Sequence, residues 1–135
     1  IVSRRQRQMC IRDSNKVESL KIIGDRDKLI EIFTNLIDNS IKYSDKNKEI
    51  TITAKKDGEF NTVSVRDQGI GIPKESIHRI TERFFTVDPS KSRSVGGTGL
   101  GLAIVKHLVS QHRAEMDINS VENEGTTIDI KFNSL

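Results

Sequence analysis

The sequence predicts an α/β two-layer sandwich, with a mixed, mostly antiparallel sheet covered on one face by helices. Three observations carry this. Two stretches have apolar residues at helical spacing, one from Asp27 to about Tyr43 and one from Leu102 to Val109. Four shorter stretches alternate apolar and polar residues with the period of a strand. The alternating stretches are adjacent in pairs, as in hairpins, and do not alternate singly with helices.

Taken in order, residues 1–15 have neither helical nor strand periodicity. "VESLKII" is weakly strand-like, and Asp25 in the following "GDRDKL" can cap a helix. That helix carries Leu29, Ile30, Ile32, Phe33, Leu36, Ile37, Ser40 and Ile41 on one broad face and ends at "SDKNK". Ile50, Ile52 and Ala54, a turn at "KKDGE", then Val63 and Val65 predict a hairpin. "DQGIGIP" is a glycine-rich turn, "KESIHRITERFF" a short helix, and "TVDPSKSRSVGGTG" a long polar loop. A second helix follows with Leu102, Val105, Leu108 and Val109 inward. "EMDINSV" and "TTIDIKF" complete the sheet, the latter with Ile128, Ile130 and Phe132 on one face. There is no internal repeat and no linker composition.

The chain has 135 residues, the size of one domain, and 34% hydrophobic with 30% charged residues suits a water-soluble fold. No apolar run approaches the roughly 20 residues that span a bilayer. A single cysteine excludes an internal disulfide framework and fits a cytoplasmic setting. The net charge of +3 suggests an acidic partner, but it is unevenly placed. Arg4, Arg5, Arg7 and Arg12 against Asp13 account for all of it, and the remaining chain holds 18 basic and 18 acidic residues. The body therefore lacks the electrostatic footprint of a nucleic-acid binder.

Three elements can carry chemistry. Asn35, Asn39 and Lys42 lie on one helical stripe that borders the apolar face. A carboxamide oxygen is a neutral ligand suited to Mg²⁺, an ammonium meets phosphate as a point charge, and the ring of Tyr43 offers a flat face to a base. A solvated helix edge would carry the same residue types. "DQGIGI", residues 67–72, follows a strand, and its glycines allow a sharp turn and close approach of a ligand, with Asp67 as an acceptor. "GGTGLGL", residues 96–102, opens a helix whose N–H groups can face an anion. It has neither the Lys of a P-loop nor the βαβ setting of a dinucleotide site.

Together and in this order, "NLIDNSIKY", "DQGIGI", "ERFF" and "GGTGLGL" resemble the N, G1, F and G2 boxes of sensor histidine kinases, over about residues 20–133. The stretch from "ITERFF" to "IVKH" is similar to the phosphate-sensing branch. The resemblance implies the Bergerat ATP-binding fold of the GHKL superfamily. It implies that Asn39 ligates Mg²⁺, that Asn35 and Lys42 position phosphate, and that Tyr43 packs on adenine. Asp67 would accept the adenine amino hydrogen, with Thr126 sharing a water. Gly69 and Gly71 would shape the base pocket. Gly97, Thr98, Gly99, Leu100 and Gly101 would cradle phosphates, beneath a lid at residues 86–96.

The ATPases of the superfamily place a Glu general base where this chain has Asn35, as do the anti-sigma-factor serine kinases. A carboxamide cannot take a proton at neutral pH, so transfer to an outside nucleophile fits better than hydrolysis. The acceptor would be a histidine, but His78, His107 and His112 all lack the family's H-box context. The expected function is to bind ATP–Mg²⁺ and donate the γ-phosphoryl to a histidine on a separate dimerisation domain in two-component signalling, with a response regulator acting downstream. The alternative is an ATP-holding signalling module with weak or no transfer. The full-length protein is expected to be membrane-anchored and homodimeric, with this domain in the cytoplasm and no nucleic acid bound.

The chain departs from the family pattern in four places. Thr86 stands where the F box usually has Arg, and Arg83, Lys91 or Arg93 is the expected substitute. "HRAE", residues 112–115, replaces a glycine-rich helix end, which puts a non-Gly residue at an αL position. The strand before "GDRDKL" looks cut short, leaving residues 16–23. Finally, residues 4–13 match one reading frame of a common transposase sequencing adaptor. Residues 1–14 are therefore expected to be a non-native arm, and residues 15–135 the ATP-binding domain.

Overall fold

A computed structural model describes residues 10–13, 21–44, 48–94 and 96–133. In chain order these form β1 (Cys10–Asp13), α1 (Arg26–Lys42), β2 (Glu49–Asp57), β3 (Phe60–Asp67), a 3-10 turn (Lys74–Ser76), α2 (Pro89–Ser94), α3 (Gly101–Gln111), β4 (Glu115–Val121) and β5 (Gly125–Asn133). The strands make one sheet in the order β1-β2-β3-β5-β4. β1 pairs parallel with β2, and every other pair is antiparallel. The mixed, mostly antiparallel sheet under helices is the expected architecture.

Register explains where the core sits. Ile52, Val65, Ile128 and Ile118 stand in one row across four strands, and Ala54, Val63, Ile130 and Met116 in the next. Both rows face the helices. α1 presses Ile32 and Leu36 onto them, and α3 adds Val105 and Val109, all buried. Burying one such side chain contributes about 1.5–3 kcal/mol. Phe33 closes one end against Phe132, with ring centroids 6.3 Å apart. The outer face of the sheet is polar, with Ser64 bonded to Asp129 and Lys131 paired with Asp117 at 2.9 Å.

Local rules account for most boundaries. Asp25 caps α1 by accepting from the Lys28 amide, and Lys42 in the last turn suits the helix dipole. Gly58, at φ 61°, takes the first position of the two-residue turn between β2 and β3, where positive φ is needed.

Four expectations need correction. "KESIHRITERFF" is not a helix: after the 3-10 turn it runs through turns to Phe85. Pro73 offers no side-chain cap, Ile77, Ile80 and Thr81 are β-branched, and Ile80 is drawn into the interior, so packing overrides a weak helical pattern. The polar stretch at 86–96 is not all loop, because it contains α2. Asp88 accepts from the Ser90 amide at 3.0 Å and Pro89 follows, a helix start with proline at its first position. The parallel edge strand is Cys10–Asp13, within residues that lack strand periodicity, and its bonds are made by backbone groups that any sequence supplies. Lys21, Ile22 and Ile23 are not strand, and the rest of "VESLKII" lies outside the described residues.

Candidate functional site

The two apolar rows on the inner face are followed by a polar one. Ile50 pairs with Asp67, and Ser120 pairs with Thr126. The β3–β5 register, continued by one residue, sets Asp67 beside Thr126. A half-buried row that would be apolar by periodicity is thus Asp–Thr–Ser at one end of the sheet. A cleft opens there, between α1, the segment after β3, and the loop leading into α3.

Asp67 is the centre of this row. One carboxylate oxygen, Oδ1, accepts from the Gly69 amide at 2.9 Å and from the Thr126 amide at 3.1 Å. Burial pushes the carboxyl's pKa above its ordinary value; hydrogen bonds from the Gly69 amide, the Ser40 side chain and the Thr126 amide pull it down without cancelling that effect. Thr126 Oγ1 lies 2.8 Å from Ser120 Oγ, which also accepts from the Ile72 amide and donates to the Gly125 carbonyl. Ser120 has one proton. With that proton on Gly125, the Thr126 hydroxyl donates to Ser120 and keeps its lone pairs for a ligand or water.

The glycines after β3 work by close approach. A Cβ on Gly71, at φ 70°, would stand 2.2 Å from the Val121 carbonyl oxygen. Gly71 lines the cleft. Gly69 does not: it packs behind, where a Cβ would be 2.4 Å from the Tyr43 carbonyl oxygen.

Along α1, Asn35, Asn39, Lys42 and Tyr43 all line the cleft. Lys42 Nζ is 2.9 Å from Asp38 Oδ2 and 3.5 Å from the Gly96 carbonyl. An anion would compete with a half-exposed carboxylate for this ammonium, an exchange that costs little because exposed ion pairs contribute about 0–1 kcal/mol.

Opposite α1, Gly97, Thr98, Gly99 and Gly101 line the cleft, while Leu100 does not. Leu100 sits at the N-cap of α3 and offers no side-chain cap, and the first turn has no acidic residue. The helix start therefore keeps donors free for an anion. Gly97 is wedged between Ser92 and Tyr43, where a Cβ would stand 2.7 Å from the tyrosine hydroxyl. Phe84, at φ 65°, donates its amide to the Gly99 carbonyl at 2.8 Å and ties the segment after β3 to the glycine loop. Thr86 lines the cleft and Arg83 does not; the side chains of Lys91 and Arg93 lie outside those described.

These groups put a carboxylate acceptor in a polar row on one side of the cleft and an ammonium and helix-start N–H groups on the other. The family described as histidine kinase-, DNA gyrase B- and HSP90-like ATPases matches residues 24–134. The chain belongs to this family. Its relatives are sensor histidine kinases. WalK of Bacillus subtilis is 42% identical over 106 residues, 77% of this chain and 17% of the relative. The phosphate regulon sensor protein PhoR of Pseudomonas aeruginosa is 41% identical over 114 residues, 84% of this chain and 26% of the relative. This chain thus spans about a quarter or less of the length of these curated relatives. Among solved structures, the mycobacterial sensor histidine kinase MprB superposes with a TM-score of 0.81 at 29% identity, covering 96% of this chain and 86% of that one. Full-length ShkA in complex with AMPPNP superposes with a TM-score of 0.78 at 25% identity, covering 94% of this chain and 26% of that one.

For an ATP-binding domain of the sensor histidine kinase type, the motifs leave several participants unnamed. Ser40 reads as a weakly polar member of the apolar face of α1, yet it bonds Asp67. Ser120 is an inward position of β4 and reads as core. Asp38, the partner of Lys42, has only its spacing of four as a signal. Among the described residues no helix is long and apolar enough to cross a membrane, and no group of three acidic, His or Cys side chains could hold a metal.

Proposed function

We propose that this domain binds ATP with Mg²⁺ and presents the γ-phosphoryl to a histidine on a separate dimerisation and phosphoacceptor domain. The observation that carries the reading is the Asp67 carboxylate at the end of a polar row. Gly69 and Thr126 hold one oxygen, and the carboxylate faces the cleft across which Lys42 and the α3 start stand ready for phosphates. Asp67 would take the adenine amino hydrogen, and Thr126 would share a water with it.

Asn39 would hold the Mg²⁺. The fit rests on the donor set, since a carboxamide beside the half-exposed Asp38 suffices for an ion that takes its other oxygens from phosphates and water. Bound there, the ion would neutralise phosphate charge. Asn35 and Lys42 would orient the phosphates, and the Gly97–Gly101 loop would close on them with backbone N–H groups. The chain supplies positioning and charge, not a nucleophile. Asn35, where the family's ATPases carry Glu, gives water no general base.

The wider protein would be a membrane-anchored homodimer with this domain in the cytoplasm and a response regulator downstream. A second reading is a nucleotide-holding module with weak transfer, favoured by Thr86 at the cleft where relatives usually have Arg. Incubation with γ-labelled ATP, with and without a dimerisation domain of a related kinase, separates the two. Label on that domain's histidine supports transfer. Nucleotide bound without label supports the module, and free phosphate without a partner contradicts both.

A further inference from the structure

We infer that His112 is a positioning residue that locks the two cleft-bearing helices in register from the end opposite the cleft. His112 is the C-cap of α3. Its ring Nδ1 lies 2.7 Å from the Leu108 carbonyl oxygen, and its Nε2 lies 3.1 Å from the Asp25 amide nitrogen, 87 residues away. The partners fix the tautomer. A carbonyl can only accept and an amide N–H can only donate, so Nδ1 carries the proton and Nε2 is the acceptor.

The Asp25 amide, at the exposed start of α1, is taken up by this ring. Asp25 caps α1 with its own side chain on the Lys28 amide. In a capping box, the residue three positions on returns the favour with a Glu or Gln on the cap's own N–H. Here that residue is Lys28, which has only donors. His112 supplies the missing acceptor from another helix. Gly24 makes room for it, because a Cβ there would stand 2.6 Å from the ring Cδ2.

α1 and α3 pack against each other. The start of α1 meets the end of α3 at His112, while Lys42 at the end of α1 reaches the Gly96 carbonyl in the loop that leads into α3, and Lys42 and Gly101 both line the cleft. The clasp and the cleft are therefore separated by the length of α1, about 25 Å at 1.5 Å per residue. A slide at the clasp would carry Lys42 past the glycine loop.

This inference rests on the nucleotide reading, and the test separates the two. ATP affinity is measured by calorimetry, with Mg²⁺, on the whole chain and on His112→Asn, His112→Gln and Gly24→Ala. Asn can still reach the Leu108 carbonyl but not Asp25, whereas Gln places its amide oxygen near Nε2. Asn and the Gly24→Ala change should each weaken ATP binding by about fivefold, the size of one net hydrogen bond. Gln should restore most of it, and the Gly24→Ala/His112→Asn double variant should lose little more than either alone. A purely structural cap would lower the melting temperature in His112→Asn and leave ATP affinity at the original value, which overturns the inference. An original chain that binds no ATP overturns the nucleotide reading and this inference with it.

Discussion

Asp67 Oδ1 accepts the Thr126 amide at 3.1 Å across 59 residues of chain. The carboxylate therefore closes the end of the sheet and also floors the cleft. Burial raises its pKa, so the folded state disfavours the charged form. The folded state holds the proton more tightly than the unfolded one, so this contribution is fully present below the unfolded value of 3.8 and is lost as pH rises through the folded value. Asp67→Asn keeps an oxygen for the two amides and removes the charge. It should melt at a higher temperature than the original chain at pH 7 without nucleotide, with the advantage shrinking towards pH 4. A melting temperature below the original at pH 7 would show that the carboxylate stabilises the fold.

Ser120 joins the Ile72 amide, the Gly125 carbonyl and the Thr126 hydroxyl. Ser120→Ala leaves two partly buried backbone groups without this partner. It should cost about 1–3 kcal/mol in urea unfolding. It should also weaken ATP binding, because the Thr126 hydroxyl loses the acceptor that orients it. Unchanged binding would show that Thr126 does not need that orientation.

Arg113 sits at φ 53°, where the Ala114 amide reaches the Val109 carbonyl and the Arg113 amide the Ser110 carbonyl. This is a Schellman ending with a side chain where glycine is favoured. Arg113→Gly should stabilise the domain by about 1 kcal/mol and leave ATP affinity alone. No gain in thermal unfolding would mean that the arginine side chain offsets its own backbone strain.

Thr86 lines the cleft in the position that the F box gives to Arg. In a chain carrying its dimerisation domain, Thr86→Arg should raise the autophosphorylation rate at saturating ATP. No change, or a loss, would show that the guanidinium is dispensable here.

What the sequence reveals and what it hides follow physical lines. Strong periodicity made α1, α3 and the four antiparallel strands legible, since burial of Ile32, Leu36, Ile128 and Ile130 dictates them. The "DQGIGI" and "GGTGLGL" turns were legible because Gly71 and Gly99 hold positive φ that other residues resist. α2 is hidden although Asp88-Pro89 is a helix-start signal, because the polar composition around it reads as loop. The strand at Cys10–Asp13 was not legible, because edge pairing uses backbone groups alone. Ser40, Ser120 and the His112 clasp were hidden because their partners lie 27, 48 and 87 residues away in sequence. The αL cost at the end of α3 was legible from the missing glycine, and Arg113 carries it.

The central claim is that the cleft holds ATP through Asp67. The most direct measurement is a calorimetric titration of the domain and its Asp67→Asn variant with ATP and with GTP, in Mg²⁺. The original chain should bind ATP in preference to GTP. Asp67→Asn, folded and at least as thermostable at pH 7, should bind ATP more weakly by about tenfold or more, the size of a hydrogen bond to a charged group. Equal ATP binding by the two proteins, or no preference for ATP over GTP in the original chain, would contradict the account.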